Sequence, residues 1–274
     1  MNWAVRNHSE MPFLQQEGIS MEWIFGYLDR GIEIMNNSCR STTDMQSIAT
    51  AYGGYQKLIS YAPNYYPVVP FRVGAELPPC IASPVRFNPR PRPADDTVRI
   101  GCFGAIRPLK NQLLQAICSL RYAAEIGRKL EFHINGTRLE PPGGDGVIKN
   151  LVNLFKYAKR ATLVQHAWMD HDSFLELVET MDMNMQCSFS ETFNIVSADS
   201  VSMMVPVVAS KEVAWLGPYA WADPNDGTAI YNNMLACDAQ IKHHPTNNRL
   251  LWQWRDLSNY AEETKKIWWS RFGY

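Results

Sequence analysis

The 274-residue sequence predicts an α/β fold of parallel sheets covered by helices, and three observations carry that expectation. Short apolar runs rich in strand formers alternate with amphipathic runs of helical period from residue 97 to residue 210. VRIGCFG ends in Gly, where a strand would pass into a loop. The composition is that of a globular chain, 46% hydrophobic and 19% charged, with 16 Gly, 17 Pro and 6 Cys. Strands that alternate with helices build βα units, whose strands pair in parallel beneath helices on both faces. A chain of this length holds one large domain or two ordinary ones.

The opening residues read as three βα units: WAVRNH strand, SMEWIFGYLDRG helix, IEIMNNS strand, TTDMQSIATAYG helix and KLISYAPN strand. That is thin for an independent doubly wound domain. A Pro-rich stretch follows, running from Pro63 to Pro93, and reads as an irregular connector. VRIGCFG (98–104) is the first strand of the larger unit. In the helix after it, Leu113, Ile117, Leu120 and Ala124 recur at helical spacing, Pro108 suits a first turn and Gly127 a stop. KLEFHING, ATLVQHAW, DMNMQCS and VPVVAS are further strands, and VIKNLVNLFKYAKR, HDSFLELVETM and FNIVSADSVSMM the helices between them. NRLLWQWRDLSNYAEETKKIWWSRF closes the chain as one or two amphipathic helices. The expected boundaries are residues 1–75, a linker at 76–96, a Rossmann-like domain at 97–243 and terminal helices at 244–274.

A net charge of -1 argues against nucleic-acid binding through a broad basic surface. No apolar run reaches the roughly 18 residues that a membrane-spanning helix needs. The amino terminus has no basic segment leading into a long apolar one, so no secretory signal is visible. Cys39, Cys80, Cys102, Cys118, Cys187 and Cys237 are scattered without a CxxC pair, which suits buried thiols in a reducing cytoplasm. The expectation is a soluble cytoplasmic protein.

In an open parallel sheet, ligands bind beyond the carboxyl ends of the strands. The first such loop is Gly104-Ala105-Ile106-Arg107-Pro108-Leu109-Lys110-Asn111. Gly104 permits close backbone approach, the following helix N-terminus favours an anion, and Arg107 and Lys110 supply two cations one turn apart. That set would hold a diphosphate, and it would equally serve as solvated first-turn charge. GxxxxGK[ST] and GxGxxG are both absent, which sets aside a Walker nucleotidase and an ordinary NAD enzyme. The second loop, Ser188 to Asp199, follows a strand and opens a helix, so the amides of Phe193, Asn194 and Ile195 could face an anion. Glu191 and Asp199, eight residues apart, suit hydroxyl-rich ligands such as a sugar and a ribose. The plainer reading is a Glu that favours the helix dipole and a solvated Asp.

Together, FGAIRPLKN and QHAWMDHDSFLELVETMDMNMQCSFSETFNIVSADSVSMMVPVVAS resemble the donor-binding domain of GT-B glycosyltransferases. More narrowly they resemble family 4, the retaining "group 1" enzymes, over about residues 97–225. The shared order is a Gly-x-x-Arg-x-x-Lys loop, a base-contacting loop after a strand, an E-x7-E region and a PVVAS strand. The resemblance implies a GT-B fold of two Rossmann-like domains, the amino-terminal one abbreviated. It implies metal-independent transfer of a sugar, with retention, from a nucleotide-diphosphate sugar to an acceptor hydroxyl. No cofactor is implied beyond that donor substrate, with UDP or GDP as its nucleotide.

By this resemblance Arg107 and Lys110 grip the donor diphosphate, Gly104 and Ala105 allow its approach, and Glu191 faces the sugar. Thr192, Phe193, Asn194 and Ile195 surround the diphosphate. Asp199 stands where the family has a Glu that binds ribose, one methylene shorter, and His166 and Trp168 flank the base. WAVRNHSEMPFL resembles the family's strand ending in a His that reaches the donor sugar, here His8, which would equally serve as a structural strand-end His. IEIMNNS resembles a later family strand, and YAPNYYP the exit to the linker, with Asn64 in place. The family's upstream βα units and glycine-rich first loop are absent from the sequence, so a minimal enzyme, a fragment and one part of a split protein are all open.

Other features have two readings each. Asp170-His171-Asp172 is DxD-like, which suits a metal or a helix cap. His243 and His244 lack spaced partner ligands and read as surface residues. Trp215 would edge the donor pocket or sit in the core. Trp252, Trp254, Trp268, Trp269, Phe272 and Tyr274, with Arg255, Lys265, Lys266 and Arg271, suit a membrane or nucleic-acid helix, or packing against the amino-terminal half. The alternatives in function are a non-catalytic nucleotide-sugar-binding module and a viral-type enzyme acting on modified DNA. The acceptor classes open are glycan, lipid and modified nucleic acid, and an exposed flank would suit a homo-oligomer.

Overall fold

The computed structural model describes residues 3–67, 95–140, 143–243 and 248–273. Most of the expected 76–96 linker, together with Cys80, His244 and Tyr274, lies outside the described residues. Two parallel sheets organise the rest.

The first sheet comes from β1 (Ala4–Asn7), β2 (Glu33–Asn36) and β3 (Ile59–Tyr61), paired in the order β1-β2-β3. Helices α1 (Met11–Leu14), α2 (Ser20–Asp29) and α3 (Cys39–Gly53) connect the strands. Ile24 and Leu28 of α2 and Met45 and Ala49 of α3 bury against Ile34 and Ile59. This is the i, i+4 spacing that one helix face requires. Ser38 caps α3, accepting from the Ser41 amide, so the helix starts three residues earlier than the sequence predicts.

The second sheet is built from β4 (Thr97–Gly101), β5 (Lys129–Ile134), β6 (Ala161–Gln165), β7 (Met183–Gln186) and β8 (Val207–Ala209). Its order is β6-β5-β4-β7-β8, all parallel. This is Rossmann order, and the chain reverses direction across the sheet between β4 and β7. The covering helices are α4 (Gln112–Glu125), α5 (Gly144–Tyr157), α6 (His171–Glu179), α7 (Ile195–Ser202) and α8 (Gly227–His243). One long helix, α9 (Arg249–Phe272), ends the chain. The sequence reading assigned no elements to α1 or α8.

Two expectations need correction. Pro108 does not open α4: it starts a short 3-10 turn, Pro108–Lys110, and Asn111 then adopts φ 57 before the helix begins. The reason is local. The Asn111 side chain donates to Cys187 O at 3.1 Å and Pro224 O at 2.8 Å, which holds the backbone in the left-handed region. Nor is the Leu113/Ile117/Leu120/Ala124 stripe the buried face of α4, because Ile117 is 45% exposed. The buried face carries Gln112, Gln115, Ala116, Ser119, Tyr122 and Ala123; Gln112 Nε2, Gln115 and Ser119 are hydrogen-bonded, while Gln112 Oε1 has no partner among the described residues.

α9 connects the two sheets. Gln253, fully buried, accepts from the Val207 amide at 2.9 Å and donates to Val207 O at 2.6 Å, pairing the free edge of β8. Leu257, Trp254 and Tyr260 pack with Phe193 and Val213. Further along, Trp268 Nε1 donates to Pro63 O at 2.7 Å, Arg6 stacks on the Trp268 ring, and Arg271 pairs with Glu33. Among the described terminal aromatics, Trp252, Trp254 and Trp268 are partly buried, while Trp269 and Phe272 remain about half exposed.

Candidate functional site

The site forms at the sheet's switch point, where the loops after β4 and β7 diverge. Gly104 adopts φ 110, a conformation that costs little only for glycine, and its amide donates to Asn135 Oδ1 at 2.8 Å. Ala105 is buried behind it, its carbonyl held by Gln112 Nε2. Buried Gln115 ties the two loops together, donating to Lys110 O at 2.7 Å and accepting from the Cys187 amide at 2.8 Å.

These loops bring the expected cations against carboxylates. Lys110 Nζ donates to Glu191 Oε1 at 2.5 Å, with side chains only 11% and 7% exposed. Arg107 donates to Glu140 at 2.8 Å, and its guanidinium lies 4.4 Å from the Phe13 ring centroid. Lys110 ends the 3-10 turn that Arg107 caps, its amide donating to Arg107 O at 3.0 Å, so the two cations lie one turn apart.

α7 begins at Ile195, four residues after Glu191, so Glu191 lies in the loop ahead of the helix and Asp199 within it. Asn194 caps α7 at φ 55, accepting from the Ser197 amide at 2.9 Å. The backbone N–H groups of Thr192, Phe193, Asn194 and Ile195 find no acceptor among the described residues. Such a run of free amides at a helix start favours an anion. Trp215 Nε1 donates to Phe193 O at 2.7 Å and packs beside it in the core.

Across the cleft stand the loops after β1 and β2. Thr192 joins them: its hydroxyl donates to His8 O at 3.1 Å and accepts from Asn37 Nδ2 at 2.9 Å. Arg40 and Glu212 add an ion pair at 2.6 Å between the same two halves. His8, Ser9, Glu10 and Phe13 then face Arg107, Ser190, Glu191 and Thr192 around a cavity of about 30 Å³. Burial, aided by Arg6, lowers the His8 pKa, so the imidazole is neutral near pH 7. The structure thus gathers His8, Arg107, Glu191 and Thr192 around one space, with Lys110 bonded to its wall.

Sequence reasoning missed Glu10, which is 3% exposed. The Ser38 hydroxyl donates to its Oε1 at 2.5 Å, and burial raises its pKa. Among the described residues, Glu10 Oε2, Asn37 Oδ1 and Arg107 Nε are buried without hydrogen-bond partners. The available signal was an acid two residues beyond a strand-end His, a pattern that composition alone does not distinguish.

Asp199, His166 and Trp168 are among the expected donor-site residues that do not line this cavity. Asp199 is 2% exposed and already accepts from Tyr66 at 2.8 Å and from His171 Nε2 at 3.1 Å. Burial raises its pKa, and both hydrogen bonds act against that rise. His166 stacks on His133, their Nε2 and Nδ1 atoms 2.9 Å apart. Trp168 is 60% exposed beneath the Arg138 guanidinium. Asp170 caps α6, accepting from the Ser173 amide at 2.9 Å. Exposed His243 ends α8.

No family model and no curated protein matches the chain. Solved structures do resemble it. A UDP-forming α,α-trehalose-phosphate synthase from Burkholderia vietnamiensis superposes with a TM-score of 0.66 at 10% identity, over 96% of this chain and 66% of that one. The corresponding synthase from Burkholderia xenovorans gives 0.68 at 12% identity, over 99% and 67%. S. aureus TarM, solved with UDP, gives 0.62 at 11%, over 98% and 50%. The chain therefore spans about two thirds of the synthases and half of TarM. It has the GT-B fold: two parallel Rossmann-like sheets facing each other across a cleft.

Proposed function

We propose that the cleft binds a nucleoside-diphosphate sugar and transfers its sugar, with retention, to an acceptor hydroxyl. One observation carries this reading: Arg107, Glu191 and Thr192 line one cavity with His8, Lys110 bonds Glu191, and four successive backbone amides from Thr192 onward lack acceptors among the described residues. A diphosphate supplies the charge this arrangement lacks. It draws Lys110 from Glu191, and the released carboxylate accepts from a sugar hydroxyl. As the sugar–phosphate bond breaks, negative charge gathers on the diphosphate, where fixed donors stabilise it. The acceptor oxygen bonds to the sugar on the face being vacated, and its proton passes to the departing phosphate oxygen. Neutral His8 contributes a hydrogen bond to the sugar rather than a full charge. The protein's own cations and amides provide the positive potential, so the reading includes no metal or cofactor.

The GT-B relatives include UDP-forming synthases and a UDP complex, which favours UDP among the donor nucleotides. Asp199 reaches a ribose in this reading only by exchanging the hydrogen bonds it now accepts from His171 or Tyr66. Calorimetry of UDP-, GDP- and ADP-sugars against the wild type and Lys110→Ala tests the proposal. Saturable binding lost in the variant supports it, and absence of binding by all three sinks it. Binding without transfer to any acceptor would reduce the reading to a donor-binding module.

A further inference from the structure

The acceptor half of the cleft contains a carboxylate with no assigned role. Glu10 follows β1 and occupies the N-cap position of α1, yet its side chain caps nothing there. It is 97% buried, because only 3% of it meets solvent. One oxygen accepts the Ser38 hydroxyl, while the other is buried and unpartnered although Glu10 lines the interdomain cavity. A buried acceptor left unpaired costs about 1–3 kcal/mol, so such atoms usually have a partner in the working state. Asn37 Oδ1 and Arg107 Nε, on either side of this cleft, are orphaned in the same way.

We propose that Glu10 is the specificity-determining residue for the acceptor, its free oxygen receiving a hydroxyl of an uncharged polyol or sugar. The inference rests on the glycosyl-transfer reading of the cleft and names the acceptor class for it. Charge decides against a phosphorylated acceptor at this position. Arg40, a cation near Glu10, is engaged with Glu212, and Arg107 serves the donor diphosphate in this reading, so a second phosphate at Glu10 would meet a carboxylate without a free counter-charge among these groups. A hydroxyl satisfies the free oxygen at no cost in charge. Asn37 Oδ1, unpartnered on the neighbouring loop, offers a second acceptor to the same ligand.

The rival role is structural: Glu10 would only hold Ser38, which caps α3. Glu10→Ala and Ser38→Ala separate the two, since both remove that hydrogen bond and only the first removes the free oxygen. The assay follows nucleoside-diphosphate release from whichever of UDP-, GDP- or ADP-glucose binds, with glucose, glycerol or glucose 6-phosphate added. Wild type is expected to respond to the neutral probes and not to the phosphate. Glu10→Ala should raise the KM for the neutral probe by about tenfold to a hundredfold, the loss of one hydrogen bond to a charged group. Its donor KM should move far less, and Ser38→Ala should lower Tm while sparing the acceptor KM.

Equal acceptor KM shifts in the two variants, an unchanged KM in Glu10→Ala, a preference for glucose 6-phosphate, or no response to a neutral probe each overturn the inference. Glu10→Gln keeps the side-chain volume and Ser38 contact, and serves if the alanine variant does not fold. It should still raise the acceptor KM. Failure of every donor to bind removes the glycosyl-transfer reading itself, and the inference with it; transfer that proceeds with an acceptor KM unmoved in Glu10→Ala removes only the inference.

Discussion

Lys110 and Glu191 form a 2.5 Å ion pair across the two loops that flank the switch point, both side chains nearly out of solvent. Removing one partner of such a pair strands the other, at about 3–5 kcal/mol. Lys110→Ala should therefore lose both stability and diphosphate affinity, which confounds a single measurement. The double variant Lys110→Met/Glu191→Leu removes both charges together and should recover most of the stability. It should still bind UDP about tenfold to a hundredfold more weakly, the value of one charge-assisted hydrogen bond. Urea midpoints read the first effect and calorimetry the second. Wild-type UDP affinity in the double variant would remove Lys110 from the diphosphate site.

Gly104 turns the chain out of the β4 loop at φ 110. A Cβ built there meets only Lys110 Cε and Nζ, at 3.6 and 3.7 Å, which are ordinary contacts. The cost of Gly104→Ala is thus backbone strain rather than collision, about 1–3 kcal/mol. A urea titration should show that loss with an unchanged m-value. No loss would mean that the loop relaxes freely, and the glycine would then have no conformational reason to be there.

The βα alternation was legible because burial on both faces of a parallel sheet requires continuous apolar runs, and Ile100, Phe132 and Met185 lie fully buried in theirs. The site loops were legible for a related reason: Gly104, Lys110 and Glu191 are chemically conspicuous at strand ends. What was not legible depended on tertiary partners. Helical period pointed to Ile117 on α4, whereas the fold buries Gln112 and Gln115 and spends their hydrogen bonds on the site loops. Asp199 read as an open ligand because neither Tyr66 nor His171 is near it in sequence. Glu10 was invisible because its second oxygen is distinguished only by the absence of a neighbour.

Thr192 links three loops through one hydroxyl, and its neighbour Glu191 is half of the ion pair. Thr192→Val keeps the shape and deletes both bonds. It leaves the His8 carbonyl without its hydroxyl donor and Asn37 Nδ2 with only a 3.4 Å contact to the His8 ring, at about 1–3 kcal/mol. Arg40→Ala removes the other ion pair between the halves, but Arg40 is 55% exposed, and such pairs are worth about 0–1 kcal/mol. Thermal melts should therefore rank Thr192→Val well below Arg40→Ala. The reverse order would place the hold between the two halves at their rim.

His133 sets a pH dependence whose direction follows from its environment. Burial foremost, then His166 and Arg99, lower its pKa from 6.5 to about 4. Between those values the unfolded chain carries a proton that the folded chain refuses, so acidification favours unfolding. The stability tied to His133 is present in full above about pH 6.5 and is lost as pH falls toward 4. At about 1.4 kcal/mol per pKa unit, the loss amounts to roughly 3 kcal/mol across that window. Glu10 and Asp199, whose pKa values are raised, act in the opposite direction, so the wild-type curve alone is ambiguous. His133→Gln keeps a polar side chain and no titrating proton. Urea midpoints at pH 7.5, 6 and 5 should fall more steeply in the wild type than in the variant. Parallel slopes would mean that His133 takes up its proton in the fold as readily as outside it.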